Sequence, residues 1–84
     1  MDEVEDQALH VVPITLEHEL RLIREAIAMV ASGGAPRVVL AGIRFGETLL
    51  DPSRRLALEA GVRIVPLWRA DEAGVDIAVE RIRE

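Results

Sequence analysis

Few types of side chain in this sequence could take part in catalysis. All ten basic residues are arginine, and the chain has no lysine, tyrosine, asparagine or cysteine. Schiff-base chemistry, the lysine of a phosphate-binding loop, thiolate nucleophiles and zinc sites built on sulfur are therefore excluded. Ser32 precedes a predicted helix stop and Ser53 falls in the first turn of a predicted helix, so no Ser-His-acid triad is indicated. Carboxylates, arginines, two histidines and a few hydroxyls remain.

Polar residues follow the ends of three predicted strands, and they are the candidate ligand-binding residues. In an open parallel α/β sheet, ligands bind beyond the carboxyl ends of the strands, so these side chains are expected to form one rim. Arg44 and Arg69 could clamp a phosphate or a carboxylate, although pairing with nearby acids is the alternative. Trp68 could stack on a ligand or serve as a core or interface residue. The rim candidates are Thr15, Arg44, Glu47, Trp68, Arg69 and Asp71.

The elements that would position this rim alternate between strands and helices. Apolar, β-branched runs predict strands over residues 9–14, 37–43 and 62–68. Apolar residues three and four apart predict a helix that starts after Thr15 and stops at Gly33. Asp51 followed by Pro52 predicts the start of a second helix, and residues 75–82 are expected to form a third.

This order predicts an α/β fold, β-α-β-α-β-α, with a three-stranded parallel sheet in the order 1-2-3 and helices on both faces. Pro13 and Pro66 place the first and third strands at the edges, which leaves strand 37–43 in the centre. Two crossovers in the same direction put the first two helices on one face, so the other face is expected to be undercovered. An apolar, undercovered face predicts a homodimer or a larger protein partner.

Length and charge limit the class of protein. The 84 residues and a 50% apolar content fit a single small domain over residues 8–84, preceded by an acidic leader over residues 1–7 that is expected to be a mobile arm. The acidic start is unlike a signal peptide, and no apolar run approaches the roughly 20 residues of a membrane span, so a cytoplasmic location is expected. The net charge of −5 disfavours non-specific binding to nucleic acid.

The second half of the chain resembles the middle and end of PIN-like nuclease domains of the NYN type. The resemblance lies in residues 37–45, in residues 60–67 and in the Gly74-Val75-Asp76 segment. In that family a glycine-valine-aspartate segment at a helix start supplies an acidic ligand for a catalytic divalent metal, and Asp76 matches it. The family's first strand ends in an aspartate, where this chain has Ile14 and Thr15. The resemblance implies a parallel α/β fold and binding of Mg²⁺ or Mn²⁺, and the acids available for such a site are Glu47, Asp51, Asp71 and Asp76.

Two functions are therefore expected, beside a third hypothesis, a regulatory or antitoxin-like subunit whose fold is completed by another chain. The first is a non-enzymatic module without a cofactor that self-associates, or binds a protein partner or a small anion. The alternative is a metal-dependent nuclease or phosphoesterase of the PIN-like kind, or a degenerate relative of one, in which Asp76 binds the metal.

Overall fold

A computed structural model describes residues 15–68 and 74–82. The predicted leader over residues 1–7 and the predicted strand over residues 9–14 lie outside these residues, as do Arg69 and Asp71. The described elements, in chain order, are α1 (Leu16–Ala31), β1 (Arg37–Ile43), α2 (Gly46–Ala60), β2 (Val62–Trp68) and β3 (Val75–Arg81).

Helix α1 forms where its apolar stripe and caps predict it. The side chain of Thr15 accepts a hydrogen bond from the backbone N–H of His18 at 3.1 Å, which satisfies one of the unpaired donors of the first turn. At the other end Gly33 has a φ of 86°, a left-handed conformation that glycine adopts without steric cost. The N–H groups of Gly33 and Gly34 donate to the carbonyls of Val30 and Met29, which closes the helix.

Residues 75–81 form a strand, so the predicted third helix is wrong. Val75, Ile77 and Val79 alternate with Asp76, Ala78 and Glu80, and only the first set joins the main hydrophobic core. A period of two places these sets on opposite faces of a strand, and β-branched residues fit that conformation well. Strand β3 is paired on both sides. Because β3 is central, residues on both of its faces are buried. The apolar Ala78 interrupts the alternation of apolar and polar residues, so the segment resembles the apolar stripe of a helix.

The sheet has the order β1-β3-β2, and both pairings are antiparallel. The predicted parallel sheet of order 1-2-3 is therefore wrong, and β1, expected in the centre, lies at an edge. Strands β1 and β2 still run in the same direction because each is antiparallel to β3, so β1, α2 and β2 form a split β-α-β unit with β3 inserted between its strands. Pro66 lies in the edge strand β2, where a missing N–H is tolerated.

Helix α2 begins at Gly46, before the Asp51-Pro52 pair that was expected to start it. The stripe formed by Leu49, Ser53 and Ala57 faces the core, and Leu49 is 1% exposed. Burial of Leu49 favours helix on both sides of Pro52, although proline removes one hydrogen bond from the helix interior. The N-terminal acceptor that Asp51 was expected to supply comes from α1 instead, as described below.

Both described helices pack on the same face of the sheet and on each other. The core between the two layers contains the apolar residues of α1, α2 and the helix-facing side of the strands, among them Ile23, Val30, Leu49, Ile77 and Val79. Within residues 15–68 and 74–82 no helix covers the opposite face of the sheet. The segment that was expected to form the helix on this second face is instead the central strand, β3.

A search of the described helices for a membrane span found none with the necessary length and apolar character.

Candidate functional sites

The connection from β1 to α2 is held by a buried carboxylate. Glu19, on the first turn of α1, is 2% exposed. Its Oε2 accepts the backbone N–H of Arg44 at 2.8 Å, and its Oε1 accepts that of Phe45 at 2.7 Å. Phe45 occupies the N-cap position of α2 and makes no side-chain cap of its own. Glu19 therefore supplies from another helix the acceptors and the negative charge that a helix N-terminus favours.

A second carboxylate holds the same end of β1. Asp76 is 9% exposed, and its Oδ1 accepts the backbone N–H of Gly42 at 2.9 Å. The pairing of β1 with β3 shifts register between Leu40 and Ile43, which indicates a β-bulge, and Gly42 has a φ of 68°. An inserted residue needs a replacement partner for its N–H, and Asp76 provides one. The described contact of Asp76 is thus with the backbone of a neighbouring strand.

The described rim candidates lie at the start of α1, on the connection from β1 to α2, on α2 and on β2. Thr15 caps α1, and the backbone N–H of Arg44 binds Glu19. Glu47 is exposed in the first turn of α2, and Trp68 is 57% exposed at the end of β2. No described hydrogen bond or ion pair joins any two of these four side chains; Arg69 and Asp71 lie outside the described residues.

The acids considered for a metal site lie on two elements where they are described. Asp51 lies in the interior of α2 and Glu47 in its first turn, whereas Asp76 lies on β3. Among the described residues no group of three or more histidine or acidic side chains is placed to hold a metal ion. The matched glycine-valine-aspartate segment enters a strand here, whereas in PIN-like domains it starts a helix. The metal-dependent nuclease stays a prediction.

The sheet face opposite the helices presents an apolar surface, which we call the open face. Its residues lie in rows across the three strands, because directly paired residues share a face. Val39, Ala78 and Val65 form the middle row, and Leu67 lies beside Asp76 in the next. Val39 is 44% exposed and Leu67 is 39% exposed. The exposed apolar residues of the open face therefore lie on the two edge strands, with the buried Ala78 between them.

A charged row borders the apolar rows of the open face. Glu80 on β3 lies directly opposite Arg37 on β1 and Arg63 on β2. One oxygen of Glu80, Oε1, lies 2.7 Å from Nη2 of Arg63 and accepts its Nε–H at 2.9 Å. The other oxygen, Oε2, lies 3.3 Å from Nε of Arg37. No local pattern predicts this row, because the three residues come together only in the strand order β1-β3-β2.

The fold and these surfaces define a small two-layer α/β domain with an open sheet face. Comparison of the chain with protein-family models, with curated proteins and with solved structures found no match.

Proposed function

We propose that this chain is a small interaction module that associates with a second copy through the open face. The observation that supports the proposal is the placement of both described helices on one side of the sheet, which leaves Val39, Val65 and Leu67 on the other. Exposed apolar surface that is continuous and bordered by charge is typical of a protein-binding site.

A second copy fits this surface because a two-fold contact places the same patch on both partners. In such a dimer the apolar rows of one open face pack against the apolar rows of the other. The surface is then complementary to itself and does not require a partner of different shape. Glu80 neutralises part of the charge of Arg37 and Arg63 within each copy, so the charged row can lie at the rim of the contact without leaving a buried unpaired charge. Ala78 lies between Val39 and Val65 in the middle row and is buried.

The size of the open face sets the strength of the association. Three strands of seven residues give a footprint of about 14 by 24 Å from standard strand spacings. A footprint of about 340 Å² per copy is smaller than that of most specific complexes, so we expect a weak, reversible dimer with a Kd on the order of tens of micromolar or weaker. We place the module in the cytoplasm, because a chain without cysteine is suited to a reducing compartment.

Sedimentation velocity over a series of protein concentrations tests the proposal. The test variant is Val39→Lys, which puts a charge in the middle row of the open face. Met29→Lys is the matched control, because Met29 is 50% exposed and lies on α1, on the other side of the sheet. Circular dichroism verifies that both variants fold.

We expect the unmodified chain to shift from monomer to dimer as its concentration rises. Val39→Lys should weaken the association at least tenfold, which is about 1.4 kcal/mol, and Met29→Lys should leave it unchanged. A chain that remains monomeric at several hundred micromolar, or a Met29→Lys variant that loses association as fully as Val39→Lys, would overturn the proposal.

A further inference from the structure

A cavity lies at the end of the sheet where β1 and β2 begin, opposite the end that carries the rim candidates. Its volume is about 520 Å³, which is within the range of small-molecule sites. It is lined by Gly33, Pro36, Arg37, Arg63, Glu80 and Arg81. The loop from α1 to β1, the first residues of two strands and the last residues of β3 therefore converge there.

The lining of this cavity is basic in a chain that is acidic overall. Three arginines and one glutamate give a formal charge of 3 − 1 = +2, whereas the whole chain carries −5. Three of the ten arginines therefore line one cavity, although the chain as a whole is acidic. Like charges repel each other, so a cluster of guanidinium groups with one carboxylate among them favours the arrival of an anion.

The three guanidinium groups are positioned by other protein groups. Glu80 holds Arg63 through Nε and Nη2 and holds Arg37 through Nε. Arg81 makes a long contact of 3.5 Å from its Nη2 to the carbonyl oxygen of Val30, at the C-terminal end of α1. A Cβ at position 33 would lie 3.3 Å from the same nitrogen, so Gly33 leaves room for Arg81.

These contacts leave some guanidinium N–H groups available to bind a ligand. The described ion pair of Arg37 uses Nε, and those of Arg63 use Nε and Nη2. Among the described contacts, Nη1 and Nη2 of Arg37 and Nη1 of Arg63 have no hydrogen-bonding partner in the protein. Planar guanidinium groups bind phosphate oxygens through two parallel N–H bonds, which a single ammonium group cannot reproduce.

We propose that this cavity is a binding site for a phosphate dianion, as an inorganic ion or as the terminal group of a small phosphorylated molecule. The formal charge of +2 balances the negative charge of a phosphate monoester dianion. Arginine is the residue type best suited to binding phosphate. Glu80 acts as a positioning residue that spreads the two arginines to either side of β3. Arg37, Arg63 and Glu80 line this cavity and also form the charged row that borders the open face. Phosphate binding does not require association through the apolar rows.

Titration calorimetry with inorganic phosphate, at constant ionic strength and with chloride as the reference anion, tests the site. Arg63→Gln and Arg81→Gln each remove one guanidinium from the lining. Arg55→Gln is the matched control, since Arg55 is an exposed arginine on α2 that does not line the cavity. Arg37→Gln, at the edge of the sheet, serves as a further test variant if either of the first two fails to fold.

We expect saturable binding of phosphate with one ion per chain. Arg63→Gln and Arg81→Gln should each weaken it at least tenfold, and Arg55→Gln should change it less than twofold. If the arginines serve only to stabilise the sheet, the chain will bind phosphate no better than chloride. That result, or an equal loss of binding in Arg55→Gln, would overturn the proposal. Because Arg55→Gln and the cavity variants leave the apolar rows intact, their sedimentation behaviour keeps this test separate from the association through the open face.

Discussion

Glu19 gives the sharpest test of how this fold is held together. Its carboxylate is 2% exposed and accepts two backbone hydrogen bonds, from Arg44 and Phe45. Hydrogen bonds to a charged group contribute about 1.5 to 3 kcal/mol each, and loss of a helix N-cap costs about 1 kcal/mol. Glu19→Ala removes both bonds and leaves two N–H groups buried without an acceptor. We expect it to lower the free energy of unfolding by about 3 kcal/mol.

A loss of this size is large for a domain of 84 residues. Such domains are often stable by only about 5 kcal/mol. The melting temperature should fall by about 15 °C, from the usual relation between stability and Tm for domains of 60 to 100 residues. Glu19→Gln keeps the shape of the side chain and one good acceptor, so we expect roughly half of the loss in this variant.

Urea unfolding followed by circular dichroism measures both variants, and Glu17→Ala is the matched control. Glu17 and Glu19 are both acidic residues in the first turn of α1, so both interact with the helix dipole. Glu17 is exposed, however, and Glu19 is buried. The difference between the two alanine variants therefore isolates the contact with α2. Hydrogen exchange should also become faster at the amides of Arg44 and Phe45 in Glu19→Gln. Alanine variants that differ by less than about 0.5 kcal/mol, the usual range for surface substitutions, would refute this account.

Three other substitutions test the packing and the sheet. Gly46→Ala places a Cβ against Cγ1 of Val75, and we expect a loss of about 2 kcal/mol by thermal unfolding; a double variant with Val75→Ala should recover part of it, and strictly additive losses would contradict the overlap. Ser53→Ala removes a hydroxyl that is buried without a hydrogen-bonding partner among the described residues. We expect the variant to be more stable by about 1 kcal/mol, measured as a rise in melting temperature. A fall in melting temperature would show that the hydroxyl is hydrogen-bonded. Glu80→Ala leaves two arginines on either side of β3 without their shared carboxylate, and we expect a loss of about 1 kcal/mol in urea that shrinks as salt is added; a loss independent of salt would argue against an electrostatic origin.

The local elements of this chain follow closely from its sequence. The stripe from Leu16 to Val30, with Thr15 before it and Gly33 after it, predicts helix α1, and the structure confirms the helix and both of its caps. Strands β1 and β2 also lie where their apolar, β-branched residues place them. These signals are local, since a cap, a left-handed glycine or a run of β-branched residues acts within a few positions along the chain.

The start of α2 was not predictable from local signals alone. Asp51 and Pro52 together are a typical helix start, yet the helix already begins at Gly46. The N–H groups of the two residues that precede the helix are bound by Glu19, which is 25 residues from Arg44 in the sequence. A cap that comes from a residue distant in the sequence cannot be predicted from the residues next to the helix.

The order of the strands was decided only by the tertiary structure. Val75, Ile77 and Val79 fit a strand, but the buried Ala78 between them makes the same residues resemble a helix. Once β3 lies between β1 and β2, its register brings Arg37, Glu80 and Arg63 into one row and leaves Val39 and Val65 on the open face. The sequence by itself determined a small α/β domain, most of its local elements and a chemistry restricted to arginines and carboxylates. Pairing between distant strands determined which of those residues meet, because strand register depends on contacts that no local pattern encodes.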